Sequence, residues 1–343
     1  FGVNPDDGLL FGAQVSFGYK GFQLNPFTYK HKIKAGLYTA TGGYDFGYEG
    51  EFANIIGNHN LFAIVEYSSP NFARNFFGIG NGTENFDDEL DKDFNRVKIR
   101  RVEFELGLRR ASKYGSIFEH KLSYQNYEVE RTEDRFIDVI GNQLLDEDPN
   151  FFDKKEFVSY QSSYQYQSVD DALNPSRGMD FKIELGGTMS ISDVDQHFVF
   201  LNPHLEFYNA LTKNKKWVLR TKAASQLLFN DDYEFYQGAI LGARNGLRGY
   251  RRDRFIGKES FVSNIDLRHS FNPINTKVIP LQIGVFAGFD VGRVWTNVPE
   301  SNQWQNDYGV GFWVNGADLF SGTFNFFHSE DGFWFSFGVG ASF

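Results

Sequence analysis

The sequence predicts an all-β fold, a transmembrane antiparallel β-barrel, and three observations support this prediction. In many segments apolar and polar side chains alternate, as they do when the two faces of a strand meet different solvents. These segments are about 9 to 13 residues long, close to the roughly 9–11 residues with which a tilted strand crosses a bilayer. Aromatic residues make up 18% of the 343 residues, so a polar chain carries a large apolar surface. A barrel explains this combination, because its outer face meets lipid and its inner face meets water.

The C-terminal segment shows the alternation clearly. One predicted face is apolar and the other is mostly small or polar: Phe333, Phe335, Phe337, Val339, Ala341 and Phe343 against Trp334, Ser336, Gly338, Gly340 and Ser342. The alternative is a large soluble β-sandwich, whose strands are usually nearer 5 or 6 residues. The run lengths favour the barrel, as do the Tyr and Phe residues at strand ends, which resemble aromatic girdles.

The expected strands follow from this pattern along the whole chain. They lie near residues 9–22, 28–41, 43–56, 59–69, 94–112, 115–133, 155–169, 177–191, 196–211, 215–230, 259–271, 281–297, 305–316, 318–328 and 333–343. Because single-chain bacterial barrels have an even number of strands, we expect a sixteenth, truncated or lying around Phe1–Pro5. The chain begins at Phe1 without a signal peptide, so we expect the signal and any periplasmic module to have preceded it. We treat residues 1–343 as a single barrel domain.

Composition excludes several other classes of protein. With no Cys, the chain has no disulfide framework and no zinc–thiolate site. A net charge of -10 argues against nucleic acid as a partner, because binding there depends on neutralising phosphates. The seven His residues show no metal-ligand spacing, and the chain contains no G-x-S-x-G motif. We therefore expect no enzymatic activity, no cofactor and no metal.

The predicted connections alternate between short turns and long loops, as they do in bacterial barrels. Two of the long loops carry acidic clusters: Asp87, Asp88, Glu89, Asp91 and Asp93, then Asp146, Glu147, Asp148 and Asp153. Carboxylates could bind divalent cations, but the spacing is not that of an EF-hand. Solvated loop charge is the favoured interpretation.

One long loop, 231–258, differs from the rest of this acidic chain because it is rich in arginine. It contains Arg244, Arg248, Arg251, Arg252, Arg254 and Lys258. An arginine in the loop that meets Asp290, on the polar face of a later strand, would form a charge-assisted and bidentate pair. Gly249 would allow a tight loop tip with positive φ. A basic surface loop in contact with lipid phosphates is an equally weighted alternative.

The sequence Leu247-Arg248-Gly249-Tyr250 resembles the sixth extracellular loop of the BamA/TamA superfamily of outer-membrane assembly and secretion barrels. That family has Val-Arg-Gly-Phe or Tyr at this place, so Leu247 is a mild departure. Gly288-Phe289-Asp290 is similar to the family's thirteenth strand, and Asp266-Leu267-Arg268 is similar to the strand before it. Phe343, behind Phe335 and Phe337, resembles the C-terminal signal that the barrel assembly machinery recognises.

The resemblance implies sixteen strands, with loop six folded into the lumen and Arg248 held by Asp290; Asp266 and Arg268 would be further lumenal charges. It implies a bacterial outer-membrane location, with lipid, lipopolysaccharide and the barrel assembly machinery as partners and polypeptides as substrates. The expected function is insertion of polypeptides into the outer membrane or translocation across it. The chain resembles a Bacteroidetes-type branch and has no POTRA repeats. Two alternatives remain: a membrane anchor for a periplasmic metallophosphoesterase-like module, and a passive pore with a charged lumen.

Overall fold

The computed structural model describes residues 2–4, 8–21, 27–87, 89–192, 195–230, 232–275, 279–296, 302–316 and 320–341. Nearly all regular structure in these residues is β-strand. The strands are β1 (Gly2–Asn4), β2 (Gly8–Tyr19), β3 (Tyr29–Tyr38), β4 (Tyr44–Ile56), β5 (His59–Asn75), β6 (Arg96–Ala111), β7 (Ser116–Glu130), β8 (Lys155–Val169), β9 (Gly178–Ser190), β10 (His197–Ala210), β11 (Trp217–Leu228), β12 (Ala239–Leu241), β13 (Phe255–Gly257), β14 (Glu259–Ser270), β15 (Ile274–Asn275), β16 (Pro280–Trp295), β17 (Gln305–Gly316), β18 (Phe320–Ser329) and β19 (Gly332–Ala341). Two short helices, α1 (Phe136–Val139) and α2 (Gly141–Glu147), lie between β7 and β8.

All of the strands except β12 and β13 belong to one antiparallel sheet, in which successive long strands pair with each other. The three-residue β1 pairs with β2 on one side and with β19 on the other, through Gly2 opposite Gly338 and Val3 opposite Phe337. β15 is a two-residue strand that pairs with β16 beside β14. The predicted all-β barrel fold is confirmed, and the expected count of sixteen strands stays a prediction.

Burial alternates along the strands as the sequence pattern predicts. In β19, Phe333 and Phe335 are 85% and 50% exposed, whereas Trp334 between them is 9% exposed. The inner faces of β3 to β7 carry ion pairs such as Lys32–Glu49 (3.0 Å) and Arg101–Glu66 (2.7 Å). The apolar outer face and the charged inner face therefore match a membrane barrel with a wet lumen. No helix in the described ranges is long and apolar enough to cross a membrane.

The end of one strand and several short elements in the long connections differ from the sequence prediction. β5 continues to Asn75 rather than ending near residue 69, with register shifts between Ser68 and Arg74 that let the strand bend. The long connections also contain structure that no alternating pattern indicates, namely α1, α2 and the β12–β13 hairpin. These elements are only 3 to 7 residues long, so their sequences are too short to show the alternation that indicates a strand or the spacing that indicates a helix.

The connections separate into two ends of the sheet. We call the end that carries residues 76–95, 131–154 and 229–258 the loop end, and the end that carries residues 112–115, 170–177 and 211–216 the turn end. A hydrophobic cluster lies at the loop end and joins these three long connections to the strands. It contains Phe76, Val97, Ile99, Val129, Ile137, Phe157, Phe235, Tyr236, Ile240 and Ile256. The loops therefore form a packed layer across the lumen instead of extending into solvent.

Candidate functional site in loop six

Loop six, residues 229–258 between β11 and β14, folds inwards through its own short structure. The β12–β13 hairpin pairs Ala239 with Gly257 and Leu241 with Phe255. Beyond it, Leu247 and Tyr250 are 0% and 1% exposed and pack with Leu241, Phe255, Val262 and Val294. These apolar side chains fix the loop against β14 and β16, and the segment between them carries Arg248.

Arg248 meets Asp290 of β16 in a bidentate pair. Its Nε donates to Asp290 Oδ2 at 2.8 Å and its Nη2 donates to Asp290 Oδ1 at 2.6 Å. The backbone N–H of Arg248 also donates to Oδ2, at 3.2 Å. The side chain of Asp290 is 0% exposed and that of Arg248 is 18% exposed, so the two charges are largely shielded from water. Parallel hydrogen bonds to one carboxylate fix the orientation of the guanidinium as well as its position.

Further polar groups surround this pair. Asp266 of β14 accepts a hydrogen bond from Arg248 Nη2 at 2.6 Å and another from Arg220 Nη1 at 2.7 Å. Arg220 in turn pairs with Glu206 of β10, with 2.7 Å between Nε and Oε1. Three basic and acidic side chains from neighbouring strands are thereby linked to Arg248. We call Arg248, Asp290, Asp266, Arg220 and Glu206 the lumenal charge network.

Asn264 was not singled out from the sequence, although it belongs to the same site. Its Nδ2 donates to Asp290 Oδ1 and to the backbone oxygen of Gly246, each at 2.6 Å. It therefore ties the loop backbone to the carboxylate that binds Arg248. Its position two residues before Asp266, on the same strand face, was the sequence signal that could have indicated it.

Glycine gives the guanidinium its space. A Cβ at Gly288 would lie 2.7 Å from Arg248 Nη2 and 2.6 Å from Asp266 Oδ1. The aromatic ring of Phe327 lies under the guanidinium, with 4.2 Å from Cζ to the ring centroid. The Gly288-Phe289-Asp290 segment thus supplies both the gap and the carboxylate for Arg248.

The expectation of a positive φ at Gly249 was wrong. In loop six the glycines with positive φ are Gly242 (153°) and Gly246 (104°). Gly249 is instead needed for close approach, since a Cβ there would lie 2.6 Å from Asp307 Cβ in β17. Its carbonyl oxygen accepts a hydrogen bond from Ser329 Oγ at 2.6 Å.

Tyr250 continues the contact with β17. Its hydroxyl donates to Gln305 Oε1 at 3.1 Å and lies 3.2 Å from the Asn306 carbonyl oxygen. Its ring meets that of Phe255 edge-on, with centroids 5.1 Å apart. Residues 247 to 250 therefore contact β14, β16, β17 and β18 in succession.

Arg268 lies apart from the lumenal charge network. Its Nη2 donates to Asn174 Oδ1 in the turn between β8 and β9, and its guanidinium lies 5.7 Å from the ring centroid of Trp313. Arg268 is two residues nearer the turn end than Asp266 along β14. The structure thus places Asp266 with Arg248, and places Arg268 with the turn at 170–177.

The remaining arginines of loop six face protein groups rather than lipid. Arg251 Nη1 donates to Asp87 Oδ1 at 2.5 Å and to the carbonyl oxygen of Lys92 at 2.6 Å. Arg254 pairs with Asp331 at 2.7 Å and with Thr83 Oγ1 at 2.7 Å. The interpretation of loop six as a lipid-facing basic loop is therefore wrong for these side chains, because residues 76–95 and the β18–β19 turn cover them.

Acidic residues of the two loop clusters also pair with charged side chains of the protein. Besides Asp87 with Arg251, Asp93 pairs with Arg96 at 2.9 Å and Asp148 pairs with Lys155 at 2.5 Å. Within the described ranges, no group of three or more His, Cys, Asp or Glu side chains is placed to hold a metal ion. Part of the acidic charge thus serves to hold the loops together.

The family model of the Omp85 superfamily domain matches residues 56–343, which include loop six and every strand that surrounds it. The chain belongs to the Omp85 superfamily. It is a bacterial outer-membrane β-barrel.

Solved barrels of this superfamily resemble the chain in fold. BamA from Haemophilus ducreyi lacking POTRA domains 1-3 matches with a TM-score of 0.68 and 12% identity, over 99% of this chain and 69% of that chain. CdiB from Escherichia coli has a TM-score of 0.64 and 12% identity, over 99% and 62%. CdiB from Acinetobacter baumannii has a TM-score of 0.59 and 13% identity, over 100% and 58%. The chain spans less than two thirds of either CdiB. A comparison with curated protein sequences finds no match.

The predicted C-terminal signal is only partly within the described residues. Phe335 faces outwards, and Phe337 stacks on Phe324 with ring centroids 4.2 Å apart. Phe343 lies outside the described residues. Recognition of these residues by the barrel assembly machinery stays a prediction.

Proposed function

We propose that this Omp85 barrel inserts polypeptides into the outer membrane or moves them across it. The observation that carries the proposal is the attachment of loop six by Arg248 to Asp290 inside the barrel. An inert scaffold has no need of a buried ion pair, because apolar residues of equal volume often stabilise a protein as well or better. A loop that is held by charges in a defined position, beside a wet lumen, is suited to a barrel that handles a client chain.

The packed loop end argues against the passive-pore alternative. Phe76 from residues 76–95, Ile137 from residues 131–154 and Phe235 from loop six share one hydrophobic cluster. Passage of small solutes would require a continuous aqueous path through this layer. The lumen below it is charged, with ion pairs such as Lys121–Glu105 at 2.5 Å.

A reconstituted assay tests the proposal. The full-length protein is placed in liposomes, an unfolded outer-membrane barrel is added, and folding of that client is followed by protease protection. We expect faster client folding than in empty liposomes, and a loss of the acceleration in Arg248→Ala. The exchange Arg131→Ala, which removes an exposed pair with Asp138, serves as the matched control. Client folding that is equally fast in empty liposomes and in liposomes with the protein would contradict insertion.

Translocation and the two alternatives are separated by other measurements on the same protein. Uptake of a secreted polypeptide into the liposomes would indicate transport rather than insertion. Steady conductance of wild-type protein in planar bilayers would support the passive pore. A genomic reading frame that starts only a signal peptide before Phe1 would reject the membrane anchor for a periplasmic enzyme.

A further inference from the structure

The ion pairing of Lys and Arg side chains differs between the two ends of the barrel. In the lumen and at the loop end, most cations have an acidic partner, as in Arg109–Glu119 at 2.7 Å and Lys98–Glu130 at 2.7 Å. Within the described ranges, the cations at the turn end that take part in no ion pair are Lys20, Arg110, Lys113, Arg177, Lys213 and Lys216. Elsewhere in those ranges, Lys92, Lys222 and Arg268 also take part in no ion pair.

Five of these cations form a continuous arc, which we call the cationic arc: Arg110, Lys113, Arg177, Lys213 and Lys216. Arg110 lies at the end of β6, and the other four belong to three successive turns, which contact their neighbours through the backbone and side chains. Gln167 N donates to the Gly115 carbonyl oxygen at 2.9 Å, which joins the first turn to the end of β8. Lys215 Nζ pairs with Asp170 at 2.8 Å, which joins the second turn to the third.

The acidic residues within the arc are already engaged. Asp170 accepts hydrogen bonds from Ser176 N at 2.8 Å and Arg177 N at 3.0 Å in addition to Lys215. Asp171 Oδ1 accepts from Leu173 N at 2.9 Å and Asn174 N at 2.8 Å. These carboxylates order the turn, and only Asp170 has a cationic partner among them. Arg110 and the three turns together carry six cationic side chains against two carboxylates, so the cationic arc keeps a net positive charge.

Outward-facing aromatic side chains place the arc at the depth of lipid headgroups. Tyr114, Phe118 and Trp217 are 73%, 42% and 41% exposed at the turn end of β6, β7 and β11. Arg110 lies directly opposite Phe118 in the ladder, so it shares the lipid-facing side of the sheet. Aromatic girdles mark the membrane–water interface of barrels, and long cationic side chains extend from there to the headgroups.

We propose that the cationic arc binds the headgroups of anionic phospholipids in the leaflet at the turn end. The arc extends from β6 to β11, the strands farthest in the sheet order from the pairing of β1 with β19. Lipid bound there holds the wall opposite that pairing at a fixed depth. The inference needs only that the barrel spans a bilayer, so it is independent of the polypeptide-handling function proposed above.

Lipid selectivity provides the test. The full-length protein is reconstituted in phosphatidylcholine bilayers, and the association of spin-labelled phosphatidylglycerol is compared with that of spin-labelled phosphatidylcholine. We expect preference for phosphatidylglycerol that weakens with added salt. Because each Lys or Arg near an anionic surface contributes roughly a fivefold effect, the combined exchange Arg110→Gln, Lys113→Gln, Lys213→Gln and Lys216→Gln should abolish the preference.

Two controls keep the result specific. The charge-retaining variant Arg110→Lys, Lys113→Arg, Lys213→Arg and Lys216→Arg should keep the preference, and the loop-end variant Lys92→Gln with Lys154→Gln should not change it. Equal association of both lipids with the wild type, or unchanged preference in the glutamine variant, would overturn the proposal. Preference for lipopolysaccharide over phosphatidylglycerol, or binding of an acidic soluble protein to the arc in place of lipid, would also overturn it.

Discussion

Arg248 and Asp290 are 42 residues apart in the chain, and their side chains meet through two hydrogen bonds of 2.8 and 2.6 Å inside the barrel. Arg248 belongs to loop six, between β11 and β14, and Asp290 belongs to β16, which pairs with β14. The pair forms only when loop six is folded into the lumen.

Replacing Arg248 by Ala should release loop six. Asp290 would remain buried without its cation, and leaving one partner of a buried pair costs about 3–5 kcal/mol. We expect faster proteolysis within residues 229–258 and a lower midpoint of unfolding in urea. In contrast, Arg131→Ala removes an exposed pair and should change stability by about 0–1 kcal/mol. Equal protease resistance of Arg248→Ala and wild type would contradict a structural part for the pair.

Asp290 and Asp307 should respond oppositely to conversion into Asn. The two residues lie opposite each other in the β16–β17 ladder, and both are 0% exposed. Asp290 binds Arg248, whereas Asp307 takes part in no ion pair in the described part of the chain. A buried carboxyl group without a cationic partner costs free energy on folding, and an amide of the same size removes the need to bury a charge. We expect Asp290→Asn to lower the thermal midpoint and Asp307→Asn to keep or raise it; a larger loss in Asp307→Asn would contradict this.

Gly288→Ala should displace the guanidinium of Arg248. A methyl group there would lie 2.7 Å from Nη2, and overpacking of this kind typically costs about 1–3 kcal/mol. The matched control is Gly187→Ala in β9, where the nearest atom to a new Cβ is 3.7 Å away. Unfolding in urea measures both variants. If the two exchanges have the same effect, Gly288 is not required for the space around Arg248.

Asp170 should make stability depend on acid pH. Burial alone would raise the pKa of its carboxyl, but hydrogen bonds from Lys215 and Ser176 together outweigh this and hold the pKa well below its usual value. A group whose pKa is lowered on folding stabilises the protein above its unfolded pKa of about 3.9, and this contribution is lost as the pH falls towards the folded pKa. We expect the free energy of unfolding to decrease below about pH 4 in the wild type.

Asp170→Asn should remove that acid-dependent component and cost about 1 kcal/mol at neutral pH, discounted for partial exposure. Asp171→Asn is the control, because an Asn Oδ1 can still accept from Leu173 N and Asn174 N. Unfolding is measured at a series of pH values. An acid dependence that is the same in Asp170→Asn and wild type would show that Asp170 is not its source.

The sequence by itself determined the strands and the directions of their side chains. Strict alternation places Phe335 outside and Trp334 inside whatever the neighbours are, because a strand has a period of two. The resemblance of the loop motif and of Gly288-Phe289-Asp290 to a known family also indicated Arg248 and Asp290 as partners, whereas the residues alone favoured a basic surface loop equally.

Only the tertiary structure decided what surrounds that pair. Arg220 and Glu206 join the lumenal charge network, and Asn264 binds Asp290, because β10, β11, β14 and β16 are adjacent in the sheet. Single-strand patterns do not specify such neighbours. Gly249 proved to serve close packing against β17 rather than a positive φ. The loop arginines Arg251 and Arg254 face Asp87 and Asp331 because the long connections fold over the lumen. These contacts join residues that are far apart in the chain, so the alternation of side chains along one strand does not indicate them.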